Sequence, residues 1–205
     1  MLSLSQVQCL RGERELFCGV NLILERREIL QVDGPNGSGK TSLLRIVAGL
    51  STAASGEIRW GGESIGELGD DYTRELLYLG HAAAIKGELT ALENLLLSME
   101  LSGEACSIAL ANEALSHAGL KDRLHLSAKY LSQGQRRRVA LARLALSKRC
   151  LWLLDEPFTA LDAAAIGWVT GLLATHVTRE GIVMFTTHQD VAIPGQKPRK
   201  LKLQS

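Results

Sequence analysis

A short apolar run, Ile29-Leu30-Gln31-Val32, leads into Gly34-Pro35-Asn36-Gly37-Ser38-Gly39-Lys40-Thr41. Residues 41–50 then place Leu43, Leu44, Ile46 and Val47 at helical spacing. The run suits a strand, and the later segment suits a helix closed by Gly49 and Ser51. The octapeptide between them fits G-x-x-x-x-G-K-[ST], the P-loop. Glycines let the backbone curl so that successive N–H groups face phosphate oxygens, and the helix adds its positive end. Gly34, Pro35, Asn36, Gly37, Ser38, Gly39, Lys40, Thr41 and Ser42 are therefore expected to line a phosphate site. Lys40 would neutralise the β- and γ-phosphates, and the Thr41 hydroxyl would ligate Mg²⁺. A bare glycine turn is the competing reading, and the strand and helix on either side disfavour it.

The run Leu151–Leu154 ends in Asp155-Glu156. Neighbouring residues at a strand end face opposite ways, so the two acids can take different roles. Asp155 suits Mg²⁺ and Glu156 suits an attacking water in line with a terminal phosphate. Such a pair alone is commonly a solvated turn; a P-loop upstream changes the odds.

Further strands are expected over residues 2–7, 22–24, 58–60, 76–79 and 182–185, the first two in a half-exposed sheet. Thr90-Ala91-Leu92-Glu93 reads as a capping box, and helices follow over about 106–118 (ended by Gly119), 132–146 and 164–177. The tail Arg199-Lys200-Leu201-Lys202-Leu203 alternates basic and apolar residues, as in a lysine-protected edge strand. The fold class is α/β, with a mainly parallel core, a small antiparallel β portion and a helical insertion near 90–140, all within a single domain over 1–205.

Composition removes several classes. The 205 residues carry 23 basic and 22 acidic side chains, a net charge of +1, with 4% aromatics. That is too balanced for a general nucleic-acid binder and too poor in rings for base stacking. No apolar run reaches the length of a membrane span, and the first ten residues lack the pattern of a signal peptide. Cys9, Cys18, Cys106 and Cys150 show no metal-ligand spacing and read as reduced, mostly buried thiols of a cytoplasmic protein.

Leu131-Ser132-Gln133-Gly134-Gln135, with the segment onward to Asp162, resembles the ATP-binding domain of ABC (ATP-binding cassette) transporters, whose signature is LSGGQ. Ser132 and the Gly134 amide, with Gln135, would form a second anion site at a helix start. The resemblance implies a P-loop NTPase fold and a homodimer that sandwiches two ATPs, each P-loop facing its partner's signature. It further implies that Thr159-Ala160-Leu161-Asp162 is the D-loop and His188 the switch histidine at the γ-phosphate. Glu156, His188 and Lys40 would then be catalytic.

More specific stretches narrow the likeness. They include Leu79-Gly80-His81, Gln135-Arg136-Arg137-Arg138-Val139-Ala140-Leu141-Ala142-Arg143-Leu144 and the segment from Trp152 to Asp162. These resemble the ATP-binding subunits of cytochrome c maturation (haem exporter) complexes. That implies a peripheral protein on the cytoplasmic face of the bacterial inner membrane. Its ATP hydrolysis would drive membrane-embedded permease subunits in haem export or release of a haem-loaded chaperone. Residues 81–101 are expected to dock those subunits.

Three positions depart from the broader family pattern. Gln133 replaces a signature glycine. His81 stands where a glutamine usually helps to hold Mg²⁺, and imidazole is a poorer ligand for that ion, so His81 is expected to act through water or by positioning. No aromatic residue lies in 8–16 to stack on adenine; Phe17 comes too late, and Arg11 or an aliphatic residue is left for that role. Arg136–Arg138 span most of a helix circumference, so they do not form a nucleic-acid face and are expected to pack against the partner copy. The alternatives are another ABC exporter's ATPase, a soluble ABC ATPase of DNA repair or translation, and a module that binds ATP with little turnover.

Overall fold

The computed structural model describes residues 1–203. The elements run β1 (Leu2–Arg11), β2 (Arg14–Leu24), β3 (Ile29–Asp33), α1 (Lys40–Val47), β4 (Ser55–Trp60), β5 (Glu63–Ser64), α2 (Ile65–Leu68), α3 (Asp70–Glu75), β6 (Leu76–Leu79), α4 (Ala91–Leu101), α5 (Ile108–His117), α6 (Gln133–Leu141), α7 (Arg143–Leu146), β7 (Leu151–Leu154), α8 (Ala163–Thr178), β8 (Ile182–Thr186) and β9 (Arg199–Lys202). They fall into two compact units. One comprises Met1–Gly80, Arg149–Glu156 and the chain from Ala174 onward; the other comprises His81–Lys148 and Pro157–Leu173.

The first unit holds both sheets. Five parallel strands run in the order β6-β7-β8-β3-β9, and an antiparallel sheet runs β2-β1-β4-β5. Every residue of β7 and β8 is buried, as sequences apolar but for Thr186 at the end of β8 require in the middle of a covered parallel sheet. β9 pairs in parallel with β3 at one edge, so the alternating basic tail does form an edge strand.

β1 runs further than the 2–7 expected from alternation. Leu2 and Leu4 face inward, then Val7 and Cys9 do. The inward phase slips by one residue because Gln6 adopts φ 51° and the pairing with β2 shifts between Leu4 and Val7. A bulge inserts the extra residue and resets the alternation, which hides the second half of the strand from a simple period of two.

The second unit is helical around a core that includes Leu95, Met99, Leu115, Leu120, Val139 and Leu131. The capping box at the start of α4 is present: Thr90 Oγ1 accepts from the Glu93 amide at 3.1 Å, and Glu93 accepts from the Thr90 amide at 2.8 Å. α5 ends as its glycine predicts, with Gly119 at φ 76° and the Leu120 amide returning to Leu115 O at 2.9 Å. The cysteines are all free thiols, but only Cys9 is buried; Cys18 is exposed and the other two lie between. Among the described residues no helix is long and apolar enough to cross a membrane.

Candidate functional site

In the first unit the site gathers at the C-terminal ends of β3, β7 and β8, which are neighbours in the sheet. Loops leaving those ends are where an open parallel sheet presents ligand-binding groups. β3 delivers the glycine loop and α1. The first bond within the helix runs from the Leu43 amide to Gly39 O at 2.8 Å. The amides of Lys40, Thr41 and Ser42 thus stand at the open N-terminus, and Gly39 supplies no side-chain cap. Gly39 has φ 92°, and a Cβ there would press on the Phe17 ring at 2.8 Å, so glycine is needed on both counts. Phe17 itself is buried against the loop.

Lys40 is buried, and its Nζ donates to the carbonyls of Gly34 at 2.8 Å and Pro35 at 3.2 Å. The ammonium is therefore held inside the curl of the loop. Ser38 is also buried, and its hydroxyl has no hydrogen-bond partner among the described residues. An orphaned hydroxyl, uncapped amides and an inward ammonium make a donor set that fits an anionic oxygen.

The acids after β7 are joined to this loop by one network. Thr41 Oγ1 lies 2.9 and 3.1 Å from the two oxygens of Asp155. The Asp155 amide donates to Leu79 O at 2.8 Å, which fixes the turn against β6. Thr186, fully buried at the end of β8, donates from Oγ1 to Asp155 Oδ1 at 2.8 Å. The same oxygen accepts from the Glu156 amide at 2.9 Å. Glu156 adopts φ 50°, a left-handed conformation unusual for a residue with a side chain. Its Oε1 lies 3.3 Å from Nε2 of His188, whose side chain is half exposed.

Thr186 is the member that sequence reasoning missed. Its signal is weak but physical: a buried hydroxyl at the end of an otherwise apolar strand needs polar partners. Two hydroxyls around one carboxylate also form a hard oxygen set. Among the described residues no cluster of three or more His, Cys, Asp or Glu could hold a metal ion. Mg²⁺ suits such a place, since it commonly takes one or two protein oxygens and completes its shell with water and phosphate.

The second unit carries the remaining expected residues. His81 is exposed in the irregular stretch after β6 and belongs to no cluster of three or more metal-ligating side chains among the described residues. Ser132 caps α6: its Oγ accepts from the Gln135 amide at 3.1 Å, while Gln135 Oε1 accepts from the Ser132 amide at 2.9 Å. Ser132 and Gln135 thus hold each other, leaving the first-turn amides, Gly134 among them, open at the helix start. Asp162 caps α8 through the Ala165 amide at 2.9 Å and pairs with Arg138 of α6. That capping bond and the guanidinium hold the Asp162 carboxyl below the usual range. Of the three arginines, Arg137 departs from the expected packing against a partner copy, being buried and bonded to the carbonyl of His81.

Comparisons with known proteins agree with this geometry. The family described as ABC transporter matches residues 17–159. The "Cytochrome c biogenesis ATP-binding export protein CcmA" of Dechloromonas aromatica (strain RCB) is 53% identical over 203 residues, covering 99% of this chain and all of that protein. Among solved structures, an ABC transporter ATP-binding protein from Pyrococcus furiosus superposes with a TM-score of 0.84 at 22% identity, over 98% of this chain and 96% of the other. The ATP-binding cassette MJ0796, solved as a dimer in a post-hydrolysis state bound to ADP and Pi, superposes with a TM-score of 0.79. It is 28% identical over 92% of this chain and 88% of its own.

Proposed function

This chain belongs to the ABC transporter family and is an ABC-type ATPase; on that premise we propose that it powers a cytochrome c maturation complex. Its ATP hydrolysis drives membrane-embedded permease subunits that export haem or release a haem-loaded chaperone. The observation that supports this role is 53% identity, over nearly the whole of both chains, to a cytochrome c biogenesis export ATPase. The chemistry rests on the network that ties Thr41, Asp155, Thr186 and Glu156 together. Both units belong to one ATP-binding domain, which sits on the cytoplasmic face of the bacterial inner membrane.

The loop Gly34–Gly39, with Lys40, Thr41 and Ser42, binds the ATP phosphates through amides, the Ser38 hydroxyl and the ammonium. Lys40 exchanges its two carbonyl acceptors for phosphate oxygens, a charge-assisted bond in place of neutral ones. Thr41 and Asp155 would hold Mg²⁺, and His81 would act through water or by positioning. Bound Mg²⁺ supplies neutralisation of phosphate charge. Thr186 keeps the Asp155 carboxylate and the Glu156 backbone in fixed register. Glu156 orients the attacking water and draws on its proton, and His188 holds Glu156 in place and reaches the γ-phosphate. Ser132, Gly134 and Gln135 cap the γ-phosphate bound by a second copy, so that two chains enclose two ATPs.

Co-purification tests the assignment. An affinity-tagged chain recovered from detergent-solubilised membranes of cells making c-type cytochromes should bring down multi-helix membrane subunits. Recovery of the chain without them, alongside intact ATP turnover, would leave an ATPase with no transport role.

A further inference from the structure

In the stretch between β6 and α4, the chain from His81 through Gly87 has no regular structure. Two buried polar side chains anchor it from within its own unit. At the far end, Asn94 of α4 accepts from the Lys86 amide at 2.8 Å and donates to Lys86 O at 2.9 Å. At the near end, Arg137 of α6 donates from Nη1 to the carbonyl of His81 at 3.2 Å. Both anchors are 5% exposed.

Burying a guanidinium is costly unless its fork finds acceptors in fixed directions, and an aliphatic side chain would fill the same volume at less cost. Arg137 also differs from the arginines beside it. Arg136 donates from Nε to Leu131 O at 3.0 Å, closing on the entry to its own helix, and Arg138 turns to Asp162. Successive helical residues point about 100° apart, so the three side chains leave α6 in three directions. Only Arg137 reaches the His81 stretch among the bonds of these three.

The carbonyl it holds belongs to the peptide that follows His81. Fixing that peptide plane limits ψ of His81, and with it the direction in which the imidazole leaves the backbone. α6 is the helix whose start carries Ser132 and Gly134. We infer that Arg137 is a positioning residue, which sets the orientation of His81 from the helix that carries the second anion site. The inference rests on the proposed ATPase role of His81.

A double-mutant cycle on steady-state ATP hydrolysis by the purified chain tests it. Arg137→Met keeps the stem and removes the fork. It should lower kcat about tenfold and leave KM for ATP within about twofold, because the residue touches no substrate. In a His81→Ala background the same change should cost less than about twofold, since the group it orients is gone. Arg137→Lys, which retains a donor, should recover part of the loss and carries the cycle if Arg137→Met does not fold. Equal losses in both backgrounds, or a His81→Ala chain as fast as wild type, would overturn the inference while leaving the ATPase reading intact. A wild-type chain with no turnover would overturn both.

Discussion

The α-carbon of Gly134 faces the carbonyl oxygen of Ala160 so closely that a Cβ added there would overlap it. Ala160 itself sits at φ 62°, in a turn whose backbone has little room to give. This contact requires glycine at position 134 of the signature-like segment. The constraint comes from the turn packed on the helix start, in addition to any phosphate approaching it.

Gly134→Ala should therefore displace the 159–162 turn or the first turn of α6. The expected cost is about 1–3 kcal/mol of stability and most of the ATPase activity. Gln133→Gly should be nearly neutral for turnover. Thermal unfolding and steady-state hydrolysis on the two variants check this, and equal behaviour would show that the contact does not constrain the site.

Thr186 joins the carboxylate of Asp155 to the backbone of Glu156 through one oxygen. Thr186→Val keeps the shape and leaves both partners short of a bond. Stability should fall by about 1–3 kcal/mol. The value of kcat should fall roughly 10- to 100-fold, the size of effect associated with losing a partner that orients a ligating carboxylate. Thr186→Ser should retain most of the activity, because the oxygen is what matters. A valine variant with wild-type turnover would remove Thr186 from the account.

His176 should make the fold sensitive to acid. Its ring stacks on Trp152 with centroids 3.7 Å apart, and Nε2 donates to Cys150 O at 3.0 Å. Burial pushes its pKa down to about 4, against an ordinary value of 6.5. The folded chain thus holds it neutral while the unfolded chain takes up a proton between those values. Stability from this group is complete above pH 6.5 and is lost as pH falls toward 4, by about 2–3 kcal/mol in all. Urea unfolding at pH 7.5 and pH 5 should show the loss in wild type and a flatter response in His176→Phe. An unchanged slope in that variant would place the acid sensitivity elsewhere.

Much of the first unit was legible because its strands and loop obey strong local rules. The glycine loop between a strand and a helix, the acids after β7, and the buried runs of β7 and β8 all announce themselves in sequence. What escaped did so for identifiable reasons. The bulge at Gln6 broke the alternation of β1 and concealed its second half. Thr186 and Arg137 have roles set by partners 31 and 56 residues away, which no local pattern records. The thiols were expected mostly inside, yet Cys18 lies exposed on β2, where buried Leu16 and Phe17 are followed by exposed Cys18 and Gly19 and the alternation is broken.

We propose that ATP is enclosed between two copies of this chain and cleaved with the help of Glu156. Glu156→Gln removes the charge proposed to draw on the attacking water while preserving the shape of the side chain. Light scattering after size exclusion, with saturating ATP and Mg²⁺, tests this directly. The expected result is a stable dimer, twice the 22.2 kDa of one chain, that retains unhydrolysed ATP. A variant that stays at 22.2 kDa under those conditions, or that hydrolyses ATP at the wild-type rate, would contradict it.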